Sequence, residues 1–274
     1  MAARVVLGRA WAVGAAVGWL GMLIRPAAHF GWCTGVARVR SVASRESPSG
    51  LAGGGRIMGD EATQVSAFSA GVAHALCFAG LAAAHYLSGR GALVSDPAHA
   101  LRLLVVFEAP LVIVVFSLLR RDPKGCSFLR AAARGLLGLP TGAFLNAFGA
   151  IVLGAPIGIK YWAATTYWSL LMSLFTFVPA ACVFGASKVN WQLLSHSIYC
   201  RPTDAVDYMI SAPAHGAVIG AWLGAWPMPL DWERPWQEWP ICVTYGSVVG
   251  HLIGMAISLV LVVTHKRRSR PKAD

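Results

Sequence analysis

The sequence predicts an all-α protein, a polytopic membrane bundle of six transmembrane helices, and three observations carry that prediction. First, 56% of the 274 residues are hydrophobic and only 13% are charged, whereas an ordinary soluble domain is about a quarter charged. Second, the apolar residues fall in runs near the roughly 20 residues that a helix needs to cross a bilayer. Third, the cations between those runs are distributed unevenly, as the positive-inside rule requires. The same pattern excludes a nucleic-acid binder despite the net charge of +11. A basic binding domain gathers its charge on one soluble face, and here apolar runs separate the charges.

The runs come in order. The first extends from Val65 to Leu87. The second, Ala98 to Leu119, is aliphatic but carries Arg102 and Glu108. Gly135 to Ile159 is rich in glycine and contains Pro140, Asn146 and Pro156. Tyr161 to Phe184 is rich in aromatics. Ala212 to Leu230 is short, small-residue-rich and ends in prolines, and Ile241 to Val263 finishes at a basic tail.

With six spans, one side of the membrane holds twelve cations: Arg120, Arg121, Lys124, Arg130, Arg134, Lys188, Arg201, Lys266, Arg267, Arg268, Arg270 and Lys272. The other holds three, Arg90, Lys160 and Arg234. Both ends of the membrane core are therefore expected in the cytosol. Between spans four and five, Trp191, Leu194 and Ile198 recur at helical spacing within Asn190–Tyr199, which predicts a short interfacial helix; an ordinary polar loop is the alternative.

Residues 1–57 differ from the rest. They hold seven arginines, one acid and a Ser/Gly-rich stretch from Ser41 to Gly55. The apolar run Trp11–Ile24 has signal-peptide length, too short for a comfortable span. The expected organisation is an N-terminal extension (1–57), a membrane domain (58–265) and a basic cytosolic tail (266–274). The extension is read as dispensable or mispredicted, with a cleaved leader and a further membrane-associated helix as alternatives.

Familiar catalytic signatures do not occur: no GxSxG, no Walker loop, no HExxH. The six cysteines are scattered singly, three of them inside apolar runs, where a thiol behaves as a small hydrophobe. No cofactor and no metal site is expected, although an unusual site built from Asp96, Asp231, Glu233 and Glu238 is the alternative. Polar residues within spans need a reason. Glu108, mid-span and two residues before Pro110, reads either as a lipid-headgroup or proton site or as a carboxyl locking span two to a neighbour, such as span three near Asn146. His74, His85, His215 and His251 read as interhelical hydrogen-bonding groups. Gly216, Gly220 and Gly224 form an i, i+4, i+8 stripe that admits close approach of another helix, from this chain or from another protein.

The segment GAWPMPLDWERPWQEWP, Gly224 to Pro240, packs four tryptophans, four prolines and four charges into 17 residues. Indoles favour the membrane boundary, so this is expected to be a stiff lumenal turn. It closely resembles the signature of the PIG-F family of glycosylphosphatidylinositol (GPI) biosynthesis proteins, with Met228 at the variable position and Glu233 at the acidic one. The run GAFLNAFGAIVLGAPIG, Gly142 to Gly158, resembles the same family, as does span four with Ser169, Leu170 and Pro179. The resemblance covers about Val65 to His265.

That resemblance implies a non-catalytic subunit in the endoplasmic reticulum membrane. It would stabilise large ethanolamine phosphate transferases of the PIG-O and PIG-G type, with membrane lipids as its other contacts. The candidate interface is Gly216, Gly220, Gly224, Trp226, Pro227, Pro229, Asp231, Trp232, Arg234, Pro235 and Trp236, with Glu108 and Asn146 as intramembrane polar residues. The alternative is a lipid-handling protein, a scramblase or carrier delivering phosphatidylethanolamine or glycolipid to the transferase, with Glu108 lining the lipid path.

Overall fold

The structure, a computed structural model, describes residues 65–185, Trp191 and residues 204–269. The expected extension at residues 1–57 lies outside the described residues, as does the expected interfacial helix except for Trp191. Every regular element among the described residues is helical: α1 (Ala67–Ser88), α2 (Ala92–Ser95), α3 (Pro97–Leu118), α4 (Phe128–Val152), α5 (Ile159–Phe184), α6 (Ala205–Ala225), a 3-10 turn (Pro235–Gln237) and α7 (Ile241–Ser269). Five of them, α1, α3, α4, α5 and α7, are long and apolar enough to cross a membrane.

Helix starts are set by side-chain caps that satisfy otherwise orphaned backbone donors. Ser66 Oγ accepts from the Ser69 amide (3.0 Å), and an Asp96 carboxylate oxygen accepts from the His99 amide (3.0 Å), with Pro97 at the first helical position. Two elements begin earlier than their apolar runs. Helix α4 starts at Phe128 instead of Gly135, because Ser127 caps it. It stops at Val152 instead of Ile159, where Gly154 takes a positive φ of 102° ahead of Pro156. Helix α6 covers Ala205–Ala225 instead of Ala212–Leu230. Asp204 precedes it, the Asp207 carboxylate accepts from the Asp204 amide (3.3 Å), and Pro227 ends it. Helix α7 continues past Val263 to Ser269, into basic residues that suit the negative end of a helix dipole.

Prolines 110, 140, 179 and 213 all lie inside helices, a common feature of membrane helices, where neighbours re-satisfy the freed carbonyls. Next to Pro140, Ser173 Oγ of α5 donates to the Leu139 carbonyl (2.9 Å), a cross-helix hydrogen bond that joins α5 to α4.

Helix α5 is the centre of the bundle. It packs on α4, α3 and α6, and Leu171, Leu174, Phe175 and Val178 are buried on it. Helix α1 packs on α3 and α7. The most extensive pairing joins α6 to α7. There Gly216, Gly220 and Gly224 lie directly against backbone of α7 at Gly250 and Gly254, at Gly246 and Gly250, and at Cys242 and Val243. The small-residue stripe of α6 is thus filled from within the chain, by a matching Gly246/Gly250/Gly254 stripe that the sequence reading did not single out.

At one end of this pair, Arg121 of the α3–α4 turn donates to Asp204 (2.8 Å) and Asp207 (2.7 Å). Its guanidinium also lies over the Phe184 ring, 5.5 Å from the centroid. One side chain therefore joins the ends of α3, α5 and α6.

Candidate functional site

The tryptophan–proline segment between α6 and α7 is held by a dense set of hydrogen bonds. Successive short turns carry it away from α6: the Met228 amide donates to Ala225 (3.1 Å), Leu230 to Pro227 (3.1 Å) and Trp232 to Leu230 (2.8 Å). Glu233 then adopts a positive φ of 51°, a conformation rare outside glycine and asparagine, and the 3-10 turn begins. Pro227, Pro229, Pro235 and Pro240 have no amide to satisfy.

Gln237 holds the segment closed. Buried beneath it, its side-chain amide donates to the carbonyls of Pro227 (2.6 Å) and Leu230 (2.9 Å), while its oxygen accepts from the Arg234 amide (2.9 Å). Trp239 is the inward anchor. It is buried, donates to Thr165 Oγ1 (2.9 Å) and stands edge-on to Trp168 of α5, centroids 5.1 Å apart. Glu238 is tied to the start of α5 by Lys160 (2.7 Å) and the Tyr161 hydroxyl (3.1 Å). The hydrogen bond from Lys160 holds the Glu238 carboxyl below the usual carboxylate range.

Against this rigid base, Asp231, Trp232, Glu233, Arg234, Pro235 and Trp236 are all exposed. Trp232 and Trp236 meet edge to face at 6.0 Å, and Trp226 packs near Trp222 at 5.9 Å while remaining 65% exposed. Asp231 and Arg234 form no ion pair with each other or with any other described residue. The segment is therefore a braced platform that presents aromatic surface together with both signs of charge.

The intramembrane polar residues separate. Glu108 is fully buried, but its neighbour is α1: its carboxyl fills the space over Gly80, where a methyl group would collide with Oε2, and the Cys77 thiol lies beside it. Neither carboxyl oxygen closes a hydrogen bond of ordinary geometry. Asn146 is half-buried and donates to the Gly142 carbonyl of its own helix (2.8 Å). Glu108 and Asn146 share no hydrogen bond, and the neighbour that Glu108 meets is α1 at Gly80, where span three was the example offered by the sequence.

Among the histidines, His74 pairs with Ser258 across α1 and α7 (3.0 Å). His251 of α7 donates to the Pro213 carbonyl of α6 (3.3 Å) and stacks on Phe175, centroids 4.0 Å apart. His215 bonds within its own helix to the Ser211 carbonyl (2.7 Å), and His85 is exposed. His74, Cys77, Phe175 and His251 border a cavity of about 10 Å³, room for one water at most. No group of three or more metal-ligating side chains occurs among the described residues. Gln237 escaped the sequence reading because its role depends on where two turn carbonyls point, and no spacing rule gives that.

The profile of the GPI biosynthesis protein family Pig-F matches residues 77–259. A human protein named "GPI ethanolamine phosphate transferase, stabilizing subunit" is 33% identical over 120 residues, 43% of this chain and 52% of the human one. The Schizosaccharomyces pombe "PIGF/3-ketodihydrosphingosine reductase fusion protein" is 31% identical over 141 residues, 52% of this chain and 27% of the fusion. "Glycosylphosphatidylinositol anchor biosynthesis protein 11" of Pyricularia oryzae is 38% identical over 105 residues, 38% of this chain and 37% of the relative. The matched stretch spans about half the length of the human and mouse relatives. No solved structure matches.

Proposed function

The chain belongs to the GPI biosynthesis protein family Pig-F, and on that premise we propose that it is a non-catalytic subunit that stabilises GPI ethanolamine phosphate transferases in the endoplasmic reticulum membrane. The partners in this reading are large catalytic subunits of the PIG-O and PIG-G type, which add ethanolamine phosphate to the mannoses of the anchor precursor. The observation that carries it is the braced Trp226–Pro240 platform. Its interior hydrogen bonds are satisfied, yet Asp231, Trp232, Arg234 and Trp236 are offered outward. Exposed tryptophan and arginine beside complementary charge are the residue types that dominate binding energy at protein interfaces.

In this reading α6 is the fifth of six spans, joining the five helices that are long and apolar enough to cross a membrane. Its 21 residues make about 31 Å of helix, enough to cross the hydrocarbon. The termini of the membrane domain face the cytosol, and the platform lies at the lumenal boundary, where the transferase domain acts. The glycine stripes serve the interface indirectly, by fixing the α6–α7 pair from which the platform is hung.

The test is co-purification. The full chain captured from membranes should carry a large transferase subunit with it, and deletion of the chain should deplete that subunit. Normal transferase levels in the deletion strain would overturn the proposal.

A further inference from the structure

At the far end of the bundle from the platform, the turn between α3 and α4 gathers cations around two residues. The Arg120 Nε donates to the Cys126 carbonyl (2.7 Å), and another of its nitrogens donates to the Ser117 carbonyl (3.1 Å). Arg130 donates to the Gly125 carbonyl (3.1 Å), and Arg134 donates to Cys126 Sγ (3.5 Å). Three guanidinium groups therefore touch the adjacent residues Gly125 and Cys126, with Lys124 next in sequence and exposed.

Among the described residues no acid neutralises them. Asp122 is the acid of the turn, and one of its oxygens accepts from the backbone amides of Lys124 (3.1 Å) and Gly125 (2.8 Å). Asp204 and Asp207 are committed to Arg121. No described acid lies within ion-pair distance of Arg120, Lys124, Arg130 or Arg134. Like charges held close together repel unless an anion joins them. The placement is also contrary to the helix dipole: α4 has no acid in its first turn and carries Arg130 there instead, where the positive helix end favours anions. The positive-inside rule requires a number of cations on one side; it does not require their guanidinium groups to converge on two residues.

We propose that the α3–α4 turn is a binding site for the phosphate of an anionic phospholipid in the adjoining leaflet, held by Arg120, Arg130 and Arg134 with Lys124 at its rim. Each guanidinium has five N–H donors, so every arginine keeps donors free for phosphate oxygens after its contact with the turn. Leu129, 77% exposed, and Leu136 and Leu137 lie on the exposed surface of the same helix, where acyl chains below a headgroup would run. This site does not depend on the subunit role proposed above.

The experiment uses the purified full chain in vesicles of phosphatidylcholine, with and without phosphatidylinositol, and measures retained lipid by native mass spectrometry and affinity by titration. The wild-type chain should retain phosphatidylinositol in preference to phosphatidylcholine. The double variant Lys124→Gln/Arg130→Gln removes two exposed side chains and should keep its helix content. It should bind phosphatidylinositol roughly 30-fold more weakly, the combined effect of two cations at a bilayer surface. Arg130→Lys should restore part of the loss when combined with wild-type Lys124, and Lys160→Gln at the opposite end should change nothing. The proposal fails if the double variant holds phosphatidylinositol as tightly as wild type, or if wild type shows no preference. It fails equally if inorganic phosphate alone displaces the lipid, which would make free phosphate the occupant.

Discussion

Gly220 of α6 and Gly250 of α7 face each other with nothing between their backbones. A methyl group built on Gly220 would lie 3.0 Å from the Gly250 Cα, and one built on Gly250 would lie 2.9 Å from the Gly220 Cα. In a bilayer, where apolar side chains gain nothing by leaving lipid, such close backbone contact is what holds helices together.

Gly220→Leu should therefore damage this chain before it damages any partner. The isobutyl group must displace α7 along its length, an overpacking cost of about 3 kcal/mol or more. Thermal unfolding in detergent should shift down markedly, and the steady-state level of the chain and of its transferase should both fall. Unchanged stability would show that the helices separate freely.

Asp231→Ala and Arg234→Ala separate docking from folding. Both side chains are exposed and outside any ion pair among the described residues, so stability should stay within about 0.5 kcal/mol. Co-purification of the transferase should drop several-fold. Equal recovery of the partner with both variants would move the interface elsewhere.

Gln237→Ala leaves the Pro227 and Leu230 carbonyls without their shared donor. Two such bonds contribute about 2 kcal/mol. Hydrogen exchange at the Leu230 and Trp232 amides should accelerate, while amides in the middle of α5 remain protected. Uniform exchange across both regions would mean that the platform and the bundle unfold as one unit.

Glu108→Gln keeps the shape of the side chain over Gly80 and should be mild, whereas Gly80→Leu should be severe because the notch is already filled. Folded yield in detergent, measured by size-exclusion chromatography, distinguishes the two. Should Glu108→Gln abolish anchor synthesis while Gly220→Leu leaves transferase levels normal, the lipid-handling reading would replace the subunit reading.

Glycosylation sequons inserted at Lys160 and at Arg234 should both be modified, and one inserted at Lys124 should not. Modification at Lys124 would reverse the proposed orientation.

Much of the fold was legible because apolar runs announce membrane helices directly, and α1, α3, α5 and α7 start within two residues of their expected positions. The errors have a common origin. Ser127 and the Asp204/Asp207 pair begin α4 and α6 in polar sequence, where hydropathy is silent and only capping chemistry speaks. The α6 glycine stripe was legible but its partner was not, although Gly246, Gly250 and Gly254 repeat at the same spacing. They sit among valine, isoleucine and leucine, and the apolar run drew attention away from the period within it. Glu108 was recognisable as an anomaly, yet its neighbour depended on which of several glycines crossed it at the right height. The platform residues stood out by composition alone; Gln237, which braces them, is an ordinary polar residue until the turns are folded.

The α6–α7 contact also bears on how the protein is made. Helix α6 opens with Asp204 and Asp207 at its start and falls short of the apolar content that its five companions reach. With α6 in the bilayer, as proposed, it gains a stable berth only once α7 has left the ribosome and closed against it. Until then, its carbonyls at Gly216 and Gly220 border lipid instead of the α7 backbone. In that arrangement α7 is the latch for the helix before it, closed through the facing backbones of Gly216, Gly220 and Gly224 and of Gly246, Gly250 and Gly254.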